Sequence, residues 1–313
     1  MAARFGLVPH DGPQAALATD ADRHWQMIAR IDRLAGLLSS AIDAGDVVAD
    51  EQAVERVTDI WHKQLIASVV VEALVVRTAD VLDVAGVTWR LTKGAAVAHL
   101  DYPDPGLRLT SDVDLLVRRG HLDAATEVLR PHVDWEQSYP DRSAKWVQRY
   151  GKDRTLKLRD GSWIDLHQML VSGYWGLELD HDQFFADGEQ YEIAGTEVTA
   201  LSAEHRLLHV LLHSGYSHVV KIQSFRDVAL LAERSDLSAA DLAARSENKP
   251  ISGLLARGAL RTCELLDIDE SWANWASDVK PGMREKIAFQ TLARVRHHWS
   301  GVLALAPHRW PGY

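Results

Sequence analysis

The stretch Leu107-Arg108-Leu109-Thr110-Ser111-Asp112-Val113-Asp114-Leu115-Leu116-Val117 constrains this chain most, because it sets two carboxylates two residues apart at the head of an apolar, β-branched run. In a strand, residues i and i+2 share a face, so Asp112 and Asp114 are predicted to project together while Val113, Leu115 and Val117 enter a core behind them. Chance alone supplies about six acidic pairs at this spacing in a chain with 44 acids among 313 residues, so the context has to distinguish this one. A turn-rich segment, Asp101-Tyr102-Pro103-Asp104-Pro105-Gly106, leads straight into the strand. Carboxylates at the entrance of a buried strand cost desolvation unless a partner offsets it, and the plain alternative is a solvated strand end. The hard cation that takes one or two carboxylates and completes its shell with phosphates is Mg²⁺, with Mn²⁺ as the alternative. The pair therefore points to phosphoryl or nucleotidyl transfer.

A second element lies upstream. Val87 to Leu91 is β-branched and aromatic and predicts a strand, Ala95 to Leu100 predicts a helix, and Lys93-Gly94 forms the turn between them. Glycine at such a turn lets backbone approach a ligand, and the helix start beyond it presents free N–H groups to an anion. Lys93 adds a point charge. Alone this is more often a plain turn; one connection ahead of a carboxylate pair, it becomes half of a metal-triphosphate cradle.

Lys93-Gly94-Ala95, the Tyr102-Pro103-Asp104 turn, Arg108 and the Ser111-to-Val117 segment together resemble the polymerase-β-type nucleotidyltransferase superfamily, closest to its poorly characterised bacterial "nucleotidyltransferase family" proteins. The resemblance implies an α+β fold: a polymerase-β-like core with a mixed sheet, flanked by N-terminal and C-terminal helical regions. It also implies a third carboxylate on a later strand, which Ser162-Trp163-Ile164-Asp165-Leu166-His167 offers. Alternation there sets Trp163, Asp165 and His167 on one face, so Asp165 is the expected third member, as metal ligand or general base. His167 is either a contact to nucleotide or acceptor or a hydrogen-bonded half-buried histidine. Lys93, Gly94, Arg108 and Ser111 are the expected nucleotide-side residues, with Arg108 either facing phosphates or pairing with Asp112 or Asp114. The implied reaction moves an NMP from an NTP to a hydroxyl acceptor (small molecule, protein or tRNA) and releases pyrophosphate. Because no serine follows Gly94, the rival reading is a noncatalytic nucleotide-binding or antitoxin-like protein on the same fold.

The length of 313 residues exceeds one comfortable core and suggests helices at 1–85, a nucleotidyltransferase core at 86–200 and a helical domain at 201–313. Apolar positions such as Ile28, Ile31, Leu34, Leu37 and Leu38 predict helical packing over Asp22 to Ala44, and Asp50 to Ala85 reads likewise. Between the motif strands, His121 to Arg130 predicts a helix, while Val133 to Gln137, Ala144 to Arg149 and Arg154 to Arg159 read as short strands. A hairpin is expected over Tyr191 to Val198, then a helix from Leu201 with Ser202 as N-cap. His205, His209 and His213 share a face of that helix but span about 12 Å, too far to hold one ion together. His213, with Lys221 and Asp227, is a candidate for the opposite wall of the cleft. The net charge of −10 disfavours long nucleic acid, although basic residues clustered from Arg118 to Arg159 keep tRNA among the acceptors. No stretch is apolar enough to span a bilayer, no secretory leader is evident, and the lone Cys263 suits packing in a reducing cytoplasm.

Overall fold

The structure, a computed structural model, describes residues 24–137, 142–217, 221–234, 237–247, 249–266 and 268–294, together with Leu7 and Ala15–Leu17. Near the N-terminus, strands β1 (Ala15–Leu17) and β2 (Val47–Ala49) pair in parallel, accompanied by helices α1 (His24–Ile31), α2 (Ala35–Asp43) and α3 (Glu51–Val84). Asp50 caps α3 by accepting the Ala53 N–H at 2.7 Å. The apolar periodicity expected over Asp22 to Ala44 is split between α1 and α2, because Arg33 takes a left-handed φ of 54° and re-aims the chain. Leu34, Leu37 and Leu38 are buried, whereas Ile31 is 58% exposed. Asp22 and the Ile28 side chain lie outside the described residues. Periodicity reports which side chains seek a core, not whether the helix axis continues through them.

The central sheet is built from β3 (Trp89–Leu91), β4 (Val113–Val117), β5 (Val133–Glu136), β6 (Asp153–Leu158), β7 (Trp163–His167), β8 (Glu189–Ile193) and β9 (Thr196–Ala200). Their order across the sheet is β5-β6-β7-β4-β3-β9-β8, with β4 parallel to β7, β3 parallel to β9 and the other pairs antiparallel. Helices α4 (Ala95–Leu100), α5 (Leu122–Leu129), α6 (Ala144–Tyr150) and α7 (Gly173–Glu178) fill the connections. The expected strand at Ala144 to Arg149 is thus the helix α6. Ser143 caps it by accepting the Trp146 N–H at 3.2 Å, and Ala, Lys, Gln and Arg at four of the six expected positions are strong helix formers.

Among the described residues, six helices follow: α8 (Ala203–Tyr216), α9 (Ile222–Arg234), α10 (Ala239–Ser246), α11 (Ser252–Leu265), α12 (Glu270–Asp278) and α13 (Met283–Arg294). Ser202 does sit at the start of α8, but its hydroxyl meets the His205 ring (3.0 Å to Nδ1) rather than a backbone N–H. The architecture is α+β, a mixed sheet with helical regions on either side. Val113, Leu115 and Val117 pack with Leu74, Leu82 and Ala125 from α3 and α5, while Leu116, on the other face of β4, joins the core of the C-terminal helices. Leu34 and Leu37 belong to that second core, so both ends of the described chain pack over the face of the sheet that carries Asp114. No described helix is long and apolar enough to cross a membrane.

Candidate active site

Strand register assembles the site. The parallel pairing of β4 with β7 sets Asp114 beside Asp165 and Leu116 beside His167. The antiparallel pairing of β6 with β7 adds Thr155 beside Asp165 and Asp153 beside His167. Paired residues share a face, so Asp114, Asp165, His167, Asp153 and Thr155 stand together on one side of three adjacent strands. Ligand atoms of Asp114, Asp165 and His167 lie within 4.8 Å of one another. Asp112 is just outside β4, half-buried, and accepts from the Ser111 hydroxyl at 2.9 Å.

Asp114 is buried, with two cationic neighbours: Lys93 Nζ at 3.1 Å and His167 Nε2 at 2.7 Å, both from Oδ1. Burial alone raises the affinity of this carboxyl for a proton, but Lys93 and His167 together outweigh it and hold Asp114 well below the usual carboxylate range. Burial and nearby Lys152 pull His167 down, and its carboxylate partners reverse the sign, so the imidazole keeps its proton more tightly than usual. Its Nδ1 is 3.5 Å from Asp153 Oδ2, an ionic contact too long for a good hydrogen bond. Asp153 is in turn paired with Lys152 Nζ at 2.7 Å. Asp165 behaves oppositely to Asp114: burial, assisted by the Asp114 and Asp153 charges, raises it despite a 2.6 Å hydrogen bond donated by Thr155 Oγ1.

Gly94 starts α4 at φ 54°, ψ −119°, a backbone region open essentially to glycine. Thr92 fixes the approach to this turn, its N–H and hydroxyl both donating to the Asp114 carbonyl at 3.1 Å. Lys93 is thereby held over Asp114. His209 and His213 of α8 close in from the other side: burial lowers both well below the histidine range, with Lys93 adding to the effect. Lys221 is an exposed residue that acts electrostatically on His213.

Arg108 points to neither acid of the motif. Its guanidinium donates to Asp227 of α9 through Nη2 (2.7 Å) and Nε (3.3 Å), and Tyr102 Oη donates to the same carboxylate at 2.9 Å, with all three residues buried. Asp227 therefore serves this ion pair rather than standing alone in the cleft.

Three residues of the site escaped sequence reading in that role: Asp153, Thr155 and Lys152. Alternation along Asp153 to Leu158 could have placed the first two on one face, but only pairing with β7 shows which face it is. Oxygen donors from two carboxylates suit Mg²⁺ or Mn²⁺, whose ligand atoms stand about 3–4 Å apart around the ion, so small side-chain shifts within this cluster would accommodate one.

A family model described as uncharacterised nucleotidyltransferase matches residues 18–267, and the chain belongs to that family. Among solved structures it is similar to the lincosamide antibiotic adenylyltransferase LnuA with lincomycin bound, at 18% identity and a TM-score of 0.33, over 50% of this chain and 93% of that one. It is similar also to an antigenic nucleotidyltransferase-like protein from Paracoccidioides brasiliensis, at 21% identity and a TM-score of 0.35, over 68% of this chain and 97% of that one. No curated protein matches.

Proposed function

We propose that the protein is a divalent-metal-dependent nucleotidyltransferase that moves an NMP from an NTP to a hydroxyl acceptor. The observation that carries this reading is the convergence of Asp114 and Asp165, aligned by parallel strands, beneath Lys93 at a glycine-only turn. Asp114 and Asp165, with Asp112 at the head of the strand, would hold Mg²⁺ or Mn²⁺. When bound, the metal supplies charge stabilisation at the α-phosphate and orients the triphosphate. Lys93, the Gly94 turn and Ser111 would bind the phosphates, while Arg108, engaged in the buried pair with Asp227, would brace α9 against the site.

The acceptor oxygen attacks the α-phosphorus, its bond to phosphorus forming as the bond to pyrophosphate breaks, and the acceptor proton passes to a carboxylate oxygen of Asp165. His167, tied to Asp114, holds that carboxylate in place. His213, Lys221 and the elements after β9 would form the facing wall, where the acceptor enters. A small hydroxylated molecule fits the acidic net charge better than tRNA or another long nucleic acid.

The test is incubation with each α-³²P-labelled NTP and Mg²⁺, or Mn²⁺, against hydroxylated metabolites, partner proteins and tRNA, scoring label on the acceptor and release of pyrophosphate. Label transfer that needs the metal supports the reading. NTP binding with no transfer to any acceptor favours the noncatalytic alternative.

A further inference from the structure

The loop between α1 and α2 brings an arginine to the site that no motif nominated. Arg33 is a non-glycine residue at φ 54°, a conformation that survives only where its surroundings dictate it. The loop is pinned on each side. Leu34 N–H donates to the Ala29 carbonyl at 3.2 Å, and Gln64 Nε2 of α3 donates to the carbonyls of Ala29 and Arg30 at 3.3 and 3.0 Å. The neighbouring Asp32 accepts the first N–H of α9, from Ile222, at 2.8 Å.

So held, the Arg33 guanidinium hydrogen-bonds the Ser111 hydroxyl, which itself donates to Asp112, and it lies within the field of Asp112, Asp114 and Arg108. Three cations from separate parts of the chain therefore meet at the acidic motif, and they differ in what they have left to give. Lys93 is 3.1 Å from Asp114, and Arg108 is spent on the buried Asp227. Among the described residues, Arg33 has one hydrogen-bond partner, a neutral hydroxyl. It is half-buried, and burial pulls its proton affinity down from the arginine range. A partly desolvated guanidinium with most of its five N–H donors unspent calls for an anion with several acceptor oxygens, which is what a planar fork recognises in a phosphate.

We infer that Arg33 grips the outer phosphates of the nucleoside triphosphate and the departing pyrophosphate, and that the α1–α2 loop is a wall of the active site. This rests on the nucleotidyl-transfer reading and assigns the polyphosphate end of the substrate to the N-terminal helices.

The test uses the full chain carrying Arg33→Gly, which suits the left-handed backbone and should melt no lower than wild type, and Arg33→Lys, which keeps the charge without the fork. Calorimetric titration with α,β-methylene analogues of the four NTPs, with pyrophosphate and with the matching NMPs, all in Mg²⁺, separates the parts of the ligand. Arg33→Gly should weaken binding of the preferred triphosphate analogue and of pyrophosphate about ten- to a hundredfold, leave the NMP within about twofold, and be partly restored in Arg33→Lys. Equal losses for NTP and NMP, or undiminished affinity for pyrophosphate in both variants, overturn the assignment. If wild type binds neither triphosphate analogue nor pyrophosphate, the nucleotidyl-transfer reading falls and takes Arg33 with it. If wild type binds both and Arg33→Gly matches it, only the role of Arg33 falls.

Discussion

In the Arg108–Asp227–Tyr102 group, and in the Arg206–Asp101–Glu189 group beside it, unlike charges face one another at hydrogen-bond distance. Arg206 donates to both oxygens of Asp101 (2.8 and 2.7 Å), to Glu189 and to the Leu201 carbonyl (2.7 Å each). The cluster on β4, β6 and β7 is matched unevenly: Asp114 faces both Lys93 and His167, Asp153 faces Lys152 and a long contact to the same imidazole, and Asp165 accepts from the neutral Thr155 hydroxyl. The first kind of burial satisfies each charge and fastens helices to the sheet. The second gathers like charges, pushes Asp114 and Asp165 in opposite directions and leaves capacity for a ligand. Polar burial alone does not mark a functional site, and uneven matching is what sets the candidate site apart from the fastening groups.

The largest expected effect separates the two kinds of group. Asp114→Asn should reduce label transfer about a thousandfold or more, with far-ultraviolet circular dichroism unchanged. Viewed as half of a repelling pair, Asp114 would stabilise the metal-free protein when neutralised. The structure reverses that sign, because Lys93 and His167 favour the ionised form, so the metal-free variant should melt below wild type. Near-native turnover in Asp114→Asn would remove the basis for the metal site.

Next comes Asp227→Ala, which leaves Arg108 buried without its partner. It should lower unfolding free energy by about 3–5 kcal/mol in urea titrations, with activity lost only in proportion to the unfolded fraction. A stably folded but inactive Asp227→Ala would move this residue from the fastening group to the chemistry.

His181 supplies the pH dependence. Burial lowers it to about 4, and its Nε2 accepts the Leu170 N–H at 3.3 Å. Below the ordinary value of 6.5 the unfolded chain takes up a proton that the folded chain refuses, so stability contributed by the neutral ring is present above that pH and declines toward pH 4. Urea midpoints measured from pH 7 to 4.5 should fall more steeply for wild type than for His181→Gln, by up to about 3 kcal/mol. Parallel curves would place the acid sensitivity elsewhere. The smallest effect belongs to Tyr102→Phe, which removes one of three hydrogen bonds to Asp227 and should cost about 1 kcal/mol, with nucleotide affinity unchanged.

Local pattern made much of this legible. Alternation placed Asp165 and His167 on one face of β7, the apolar run at Val113 to Val117 is a fully buried strand, and the helix at Ala95 to Leu100 lies at the predicted residues. What stayed hidden is non-local or depends on a single dihedral. Arg108 and Asp227 are 119 residues apart, and nothing near either one names the other. Asp153 and Thr155 become site residues only through their register with β7. The turn at Arg33 interrupts a stretch whose apolar spacing is equally compatible with one helix or two.

The hydrogen bond from Ile222 to Asp32 joins residues 190 positions apart, and this has a consequence for how the protein is made. A nascent chain that has reached residue 200 already carries Asp112, Asp114 and Asp165, yet Asp227 is missing from Arg108 and Ile222 from Asp32. The acidic motif emerges from the ribosome long before its surroundings can be completed, and the loop that carries Arg33 gains its α9 anchor only late in synthesis. Stalled chains ending before and after α9 should differ in triphosphate binding abruptly, not in proportion to their length.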